Sequence, residues 1–203
     1  MQFKILVDCG FDQDNQNQVR ESDLNLQMGL KLKDLVYADT DICLVVLDRV
    51  TDDQTNLVES RLPLTQESKF DIIFSLHSRV ALTPAERGVF VYYNDMDKNS
   101  ALLADIVSSS LQVINLQPFD MPVKREKASN EILNSFFAKL TSPAIVINTG
   151  FLSNQVETDM VKTFEFQQTI VKGIYDGIKN FLTLQTPIKT DLEALPKEDP
   201  KHI

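Results

Sequence analysis

A chain of 203 residues, 43% of them hydrophobic, is long and apolar enough for one domain with a proper core, which excludes a disordered protein. A formal net charge of -9 and a pI of about 4.7 argue against tracking nucleic-acid phosphates or docking on an anionic membrane, since both need clustered Lys and Arg. The two cysteines, Cys9 and Cys43, sit in apolar strand-like runs and read as buried free thiols rather than a disulfide framework.

The elements follow in chain order. Residues 3–7 form an apolar run that predicts the first strand. Leu24, Met28, Leu32 and Leu35 then recur at helical spacing, with Leu26 and Leu30 widening the stripe, which predicts a helix over 19–37. Glu21 and Asp23 in its first turn suit the positive end of a helix. "DICLVVLD" has the length and β-branched character of a buried strand. "TNLVESRLPLTQES" reads as a helix that Pro63 kinks or restarts. "FDIIFSLHS" and "GVFVYYN" are the third and fourth strands. A long helix over 99–116 buries Leu102, Leu103, Ile106, Val107 and Leu111, and "NEILNSFFAKL" is a shorter one. "PAIVINTGF" is a further strand, and 163–182 is the last helix, buried through Phe166, Ile170, Ile174, Ile178 and Phe181.

Strands alternating with helices predict an α/β fold: a mostly parallel, twisted sheet of five to six strands with helices on both faces. The domain is expected to span 1–184. A polar tail or linker, rich in Pro, Lys, Glu and Asp, follows over 185–203. No apolar run reaches the roughly 18 residues of a membrane span, and no leader pattern precedes the first strand. The expected location is the cytoplasm, or the cell envelope if a leader has been removed.

In such a sheet, ligands sit outside the carboxyl ends of the strands. That singles out residues 8–14, Asp48 and Arg49, 75–79 and 148–154. The first of these loops, "DCGFDQD", carries Phe11 where a ligand or nucleophile would stand. Gly10 belongs to no phosphate-binding glycine pattern, and His77 and His202 are the only histidines. On residue chemistry alone, His77 reads as a hydrogen-bonded strand-end residue or a metal ligand, and Glu21 as a helix-end carboxylate or a ligand.

"ILVDCGF", "ESDLNLQMGLKLKDL", "VVLDRVTDD", "NLVESRL", "DIIFSLHS", "GVFVYYN" and "SPAIVINTGFLSN", in this order and spacing, resemble the zinc-dependent N-acetylmuramoyl-L-alanine amidases of the amidase-3 family. The resemblance spans about residues 3–182. It implies cleavage of the amide between N-acetylmuramic acid and L-alanine in peptidoglycan. It also implies zinc held by two histidines and a glutamate, with a second glutamate as general base. Carried over residue by residue, Glu21 and His77 keep two ligand positions, Phe11 replaces the first histidine, and Asn148 replaces the general base. Asp12 and Gln13 replace glycines, and Arg79 replaces an asparagine.

The resemblance therefore implies a pseudo-amidase without zinc. Its remnant groove around Glu21, His77, Arg79 and Asn148, with Asp8 and Asp12, would bind a peptidoglycan fragment or a protein partner. Arg79 would attract an anionic group such as a peptide carboxylate. The alternative is a working metal-dependent amidase in which Cys9, Asp12 or Asp14 replaces the missing ligand. A third reading is a structural domain of a larger assembly.

Overall fold

Continuous apolar runs and helical stripes form the elements they predict in the computed structural model, which describes residues 2–10, 20–47, 69–80, 83, 85–114, 119, 121–129 and 131–185. The strands are β1 (Phe3–Cys9), β2 (Ile42–Leu47), β3 (Ile72–Arg79), β4 (Val89–Tyr93), β5 (Val123–Lys127) and β6 (Ala144–Phe151). The helices are α1 (Glu21–Val36), α2 (Lys98–Val113), α3 (Glu131–Ala138), α4 (Gln155–Val161) and α5 (Phe164–Gln185). The helix expected over 55–68 lies outside the described residues, as does the tail beyond Gln185.

The sheet has six strands in the order β2-β1-β3-β6-β4-β5. Neighbours pair in parallel except β4 with β6, which are antiparallel. On one face Ile5, Val7, Phe74, Leu76, Val91 and Ile147 pack under α1, α2 and α5 in the larger core. On the other, Leu6, Ile73, Ala144 and Val146 pack with Leu133 and Phe137 of α3. This is the expected mostly parallel architecture with both faces covered.

Two elements escape the sequence pattern. β5, "VKREK", is an edge strand with four exposed residues, so no buried period marks it. Its charges keep the open edge from pairing with another chain. Arg125 bonds Asp105 at 2.9 Å, and Lys124 and Arg125 lie over the Phe90 and Tyr93 rings. The seven-residue α4 is too short for a helical stripe. Its one signal is Asn154, which accepts from the N–H groups of Val156 and Glu157 as an N-cap.

The cysteines are both free. Cys43 pairs with Lys4 and Cys9 with Leu76, and the odd spacing between Lys4 and Cys9 puts the two thiols on opposite faces of the sheet. Adjacent strands therefore do not bring them together.

α2 and α5 cross closely at Gly177. A Cβ there would stand 2.7 Å from the Val107 Cα, a backbone atom that cannot turn aside. Gly177→Ala is therefore expected to destabilise the fold by about 1–3 kcal/mol through overpacking, measured by urea unfolding.

Asp39, after α1, is tied to α5 by Lys179 Nζ at 2.6 Å and by the Tyr175 hydroxyl at 3.0 Å. The hydrogen bond from the Lys179 ammonium leads in holding its carboxyl below the ordinary 3.8. A depressed carboxylate contributes stability above its unfolded pKa and loses it as pH falls through the folded value. The stability gap between wild type and Asp39→Asn is expected to be full near neutral pH and to close below pH 3.8, read from thermal melts across pH.

Candidate functional site

The site lies where the carboxyl ends of β1, β3 and β6 meet the start of α1. In register, Asp8 faces Ser75, and His77 faces Asn148, which in turn faces Phe90 of β4. Partners opposite each other in a ladder share a face, so these polar side chains project from the same side of the sheet. Glu21 enters from the first turn of α1, buried to 2% exposure. That turn has no side-chain cap.

Glu21 Oε1 is a hub. It lies 3.0 Å from His77 Nδ1 and accepts from the Ser78 N–H at 3.0 Å and from Asn25 Nδ2 at 3.2 Å. Asn25 Nδ2 also donates to the Gly10 carbonyl at 2.9 Å, which pins the end of β1 to α1. On the other side of the imidazole, Nε2 lies 3.1 Å from Ser75 Oγ, and Ser75 donates to Asp8 Oδ2 at 2.7 Å. Since Ser75 donates its single hydroxyl proton to Asp8, its oxygen is left to accept a hydrogen bond from an N–H at His77 Nε2. The two carboxylates thus flank the ring, one directly and one through a serine.

Gly10 keeps that ring in place. A Cβ on Gly10 would come within 2.3–2.6 Å of three imidazole atoms. Gly10→Ala is expected to displace His77 from Glu21. The readout is a shift of the His77 ring resonances, with the backbone spectrum of α5 unchanged.

Asn148 is fully buried. Its Oδ1 accepts the Arg79 N–H at 2.9 Å, across a register shift between His77 and Arg79. Arg79 reaches the hydroxyl of Tyr92, whose pKa is raised above 10.0, chiefly by burial. Thr149 donates to the His77 carbonyl at 3.1 Å, and its hydroxyl meets that of Ser78 at 2.9 Å. These bonds stitch β3 to β6 behind the site.

The structure thus brings together Asp8, Glu21, His77, Arg79 and Asn148. Phe11, Asp12, Asp14, Asp48 and Arg49 lie outside the described residues. A catalytic zinc takes three protein ligands and leaves a fourth position for water. Among the described residues no group of three or more His, Cys, Asp or Glu could hold a metal ion. The pair Glu21 and His77 alone does not fit such a zinc.

Sequence reasoning missed Glu157. It is fully buried in the first turn of α4, where its two oxygens accept from the Gly88 N–H at 2.7 Å and the Phe151 N–H at 2.8 Å. It ties the start of β4 to the end of β6, the two strands that carry Phe90 and Asn148. Burial raises its pKa above 4.5 against those hydrogen bonds and Arg87. The sequence signal was "NQVE", an Asn with a Glu three residues on, which is a capping-box pattern. Here the glutamate turns inward to the strands.

The amidase-3 family profile, described as N-acetylmuramoyl-L-alanine amidase, matches residues 5–180. The chain belongs to the amidase-3 family. A protein of Buchnera aphidicola subsp. Acyrthosiphon pisum (strain APS), provisionally named as such an amidase, is 24% identical over 226 residues, covering 88% of this chain and 94% of the relative. The fold matches that of an N-acetylmuramoyl-L-alanine amidase from Clostridium difficile 630, with a TM-score of 0.76 and 23% identity, over 91% of this chain and 99% of that one. It also matches the CwlD amidase of Clostridioides difficile, solved in complex with the GerS lipoprotein, with a TM-score of 0.73 and 19% identity, over 90% and 99% of the two chains. Among the described residues no helix of this amidase-3 chain is long and apolar enough to cross a membrane.

Proposed function

We propose that this amidase-3 domain is a pseudo-amidase: it binds a peptidoglycan fragment without cleaving it and acts as a binding or regulatory component of peptidoglycan metabolism. Asn148 carries this reading. It occupies the position of the family's general base, and its only oxygen accepts the Arg79 N–H at 2.9 Å. A carboxamide takes up no proton near neutral pH, and loss of a general base costs about 10²–10⁴ in rate.

The rest of the site supports the same reading. Phe11 cannot ligate metal, and both nitrogens of His77 face hydrogen-bond partners, Glu21 at 3.0 Å and Ser75 at 3.1 Å. In this reading Asp8 and Arg79, with Asp12 of the loop after β1, supply the polar side chains for a ligand. A neighbour in fold, CwlD, is known in complex with a lipoprotein, so a protein partner is the second class of ligand for this domain.

The test uses purified peptidoglycan incubated with the chain and excess zinc. The expected result is co-sedimentation with the sacculi and no release of stem peptides. Stem-peptide release that chelation abolishes would overturn the proposal.

A further inference from the structure

We propose that Asn148 Nδ2 donates a hydrogen bond to an amide carbonyl oxygen of the bound ligand at the inner end of the groove. This rests on the binding reading above. The Arg79 N–H requires an acceptor, so its 2.9 Å contact fixes Oδ1 toward Arg79 and turns the NH₂ away from it. Among the described residues nothing accepts from Nδ2, although Asn148 is fully buried. Most buried donors in native proteins have partners, and an exception calls for an explanation, of which a group that completes the bond on binding is one.

The surroundings say what that group is. Asn148 stands between His77 and Phe90 on one face of the sheet, and the His77 side chain is 27% exposed, so the row opens to solvent beside it. A glutamate here would keep an oxygen for the Arg79 N–H and offer a second oxygen as an acceptor. The asparagine keeps the first bond and offers a donor in place of the second. The substitution therefore preserves the structural half of the group and inverts the half that faces the ligand. The inverted site suits an oxygen with lone pairs. A neutral amide carbonyl fits beside Phe90 without the desolvation cost of a carboxylate.

The probe is N-acetylmuramoyl-L-alanyl-D-isoglutamine, titrated into the ¹⁵N-labelled wild-type chain. The Asn148 side-chain amide pair is identified by its absence from the spectrum of Asn148→Asp, which keeps the bond to Arg79 but replaces the donor by an acceptor. One proton of the pair is expected to move downfield and to saturate together with the backbone signals of Ser78 and Arg79. Asn148→Asp is expected to weaken binding roughly tenfold or more. If the backbone signals move while the side-chain pair stays still, a resident water holds Nδ2; this inference falls and the binding reading stands. If no signal moves at millimolar probe, the inference also falls, and hydrolysis and zinc content decide the wider reading separately.

Discussion

Replacing Phe11 by His and Asn148 by Glu together is expected to give a chain that holds zinc and cleaves peptidoglycan, if the wild type is the pseudo-amidase proposed above. Phe11→His alone puts back the histidine that the family pattern has at this position, to join Glu21 and His77, which lie 3.0 Å apart. It should raise zinc content to about one per chain. It should leave cleavage weak, because Asn148 still offers no base. Adding Asn148→Glu should raise stem-peptide release by about 10²–10⁴ over the single variant. One oxygen of the new carboxylate can take over the Arg79 N–H that Oδ1 now accepts at 2.9 Å. The reverse order is informative: Asn148→Glu without Phe11→His is expected to gain no activity. Activity from that single change would mean that the remaining residues already hold a metal.

The largest loss of stability is expected from Glu157→Ala. The carboxylate satisfies two backbone N–H groups in a fully buried position, at 2.7 Å from Gly88 and 2.8 Å from Phe151. Alanine leaves both donors unmet and a cavity beside them. Each orphaned buried donor costs about 1–3 kcal/mol, so a total of about 3 kcal/mol or more is expected. For a domain of this size that lowers Tm by about 6–12 °C. Glu157→Gln keeps one acceptor and turns an NH₂ toward the other N–H, so it should fall between wild type and alanine. Burial holds the Glu157 carboxyl above 4.5, so the folded state takes up a proton before the unfolded one does. Its contribution therefore rises as pH falls through the raised pKa, opposite in sign to that of Asp39.

Most of the architecture was legible in the sequence because strong periods encode it. The stripe through Phe166, Ile170, Ile174 and Ile178 predicts α5, and the run "AIVINTGF" predicts β6. What escaped lacks a period. β5 shows water four charged side chains in succession, and α4 spans barely two turns. The antiparallel pairing of β4 with β6 is set by topology, which no local pattern states. At the site, the family frame identified Glu21, His77 and Asn148. It could not show that Ser75 links His77 to Asp8, or that the Asn148 amide keeps its oxygen for Arg79. Those are contacts between residues as much as 69 positions apart.

Zinc content separates a pseudo-amidase from a working metalloenzyme. The wild-type chain is incubated with zinc, desalted and measured by elemental analysis, with Phe11→His treated in parallel. A pseudo-amidase should retain zinc far below one per chain in the wild type and near one in Phe11→His. One tightly held zinc per wild-type chain would contradict that reading, and would mean that Cys9, Asp12 or Asp14 completes the site with Glu21 and His77.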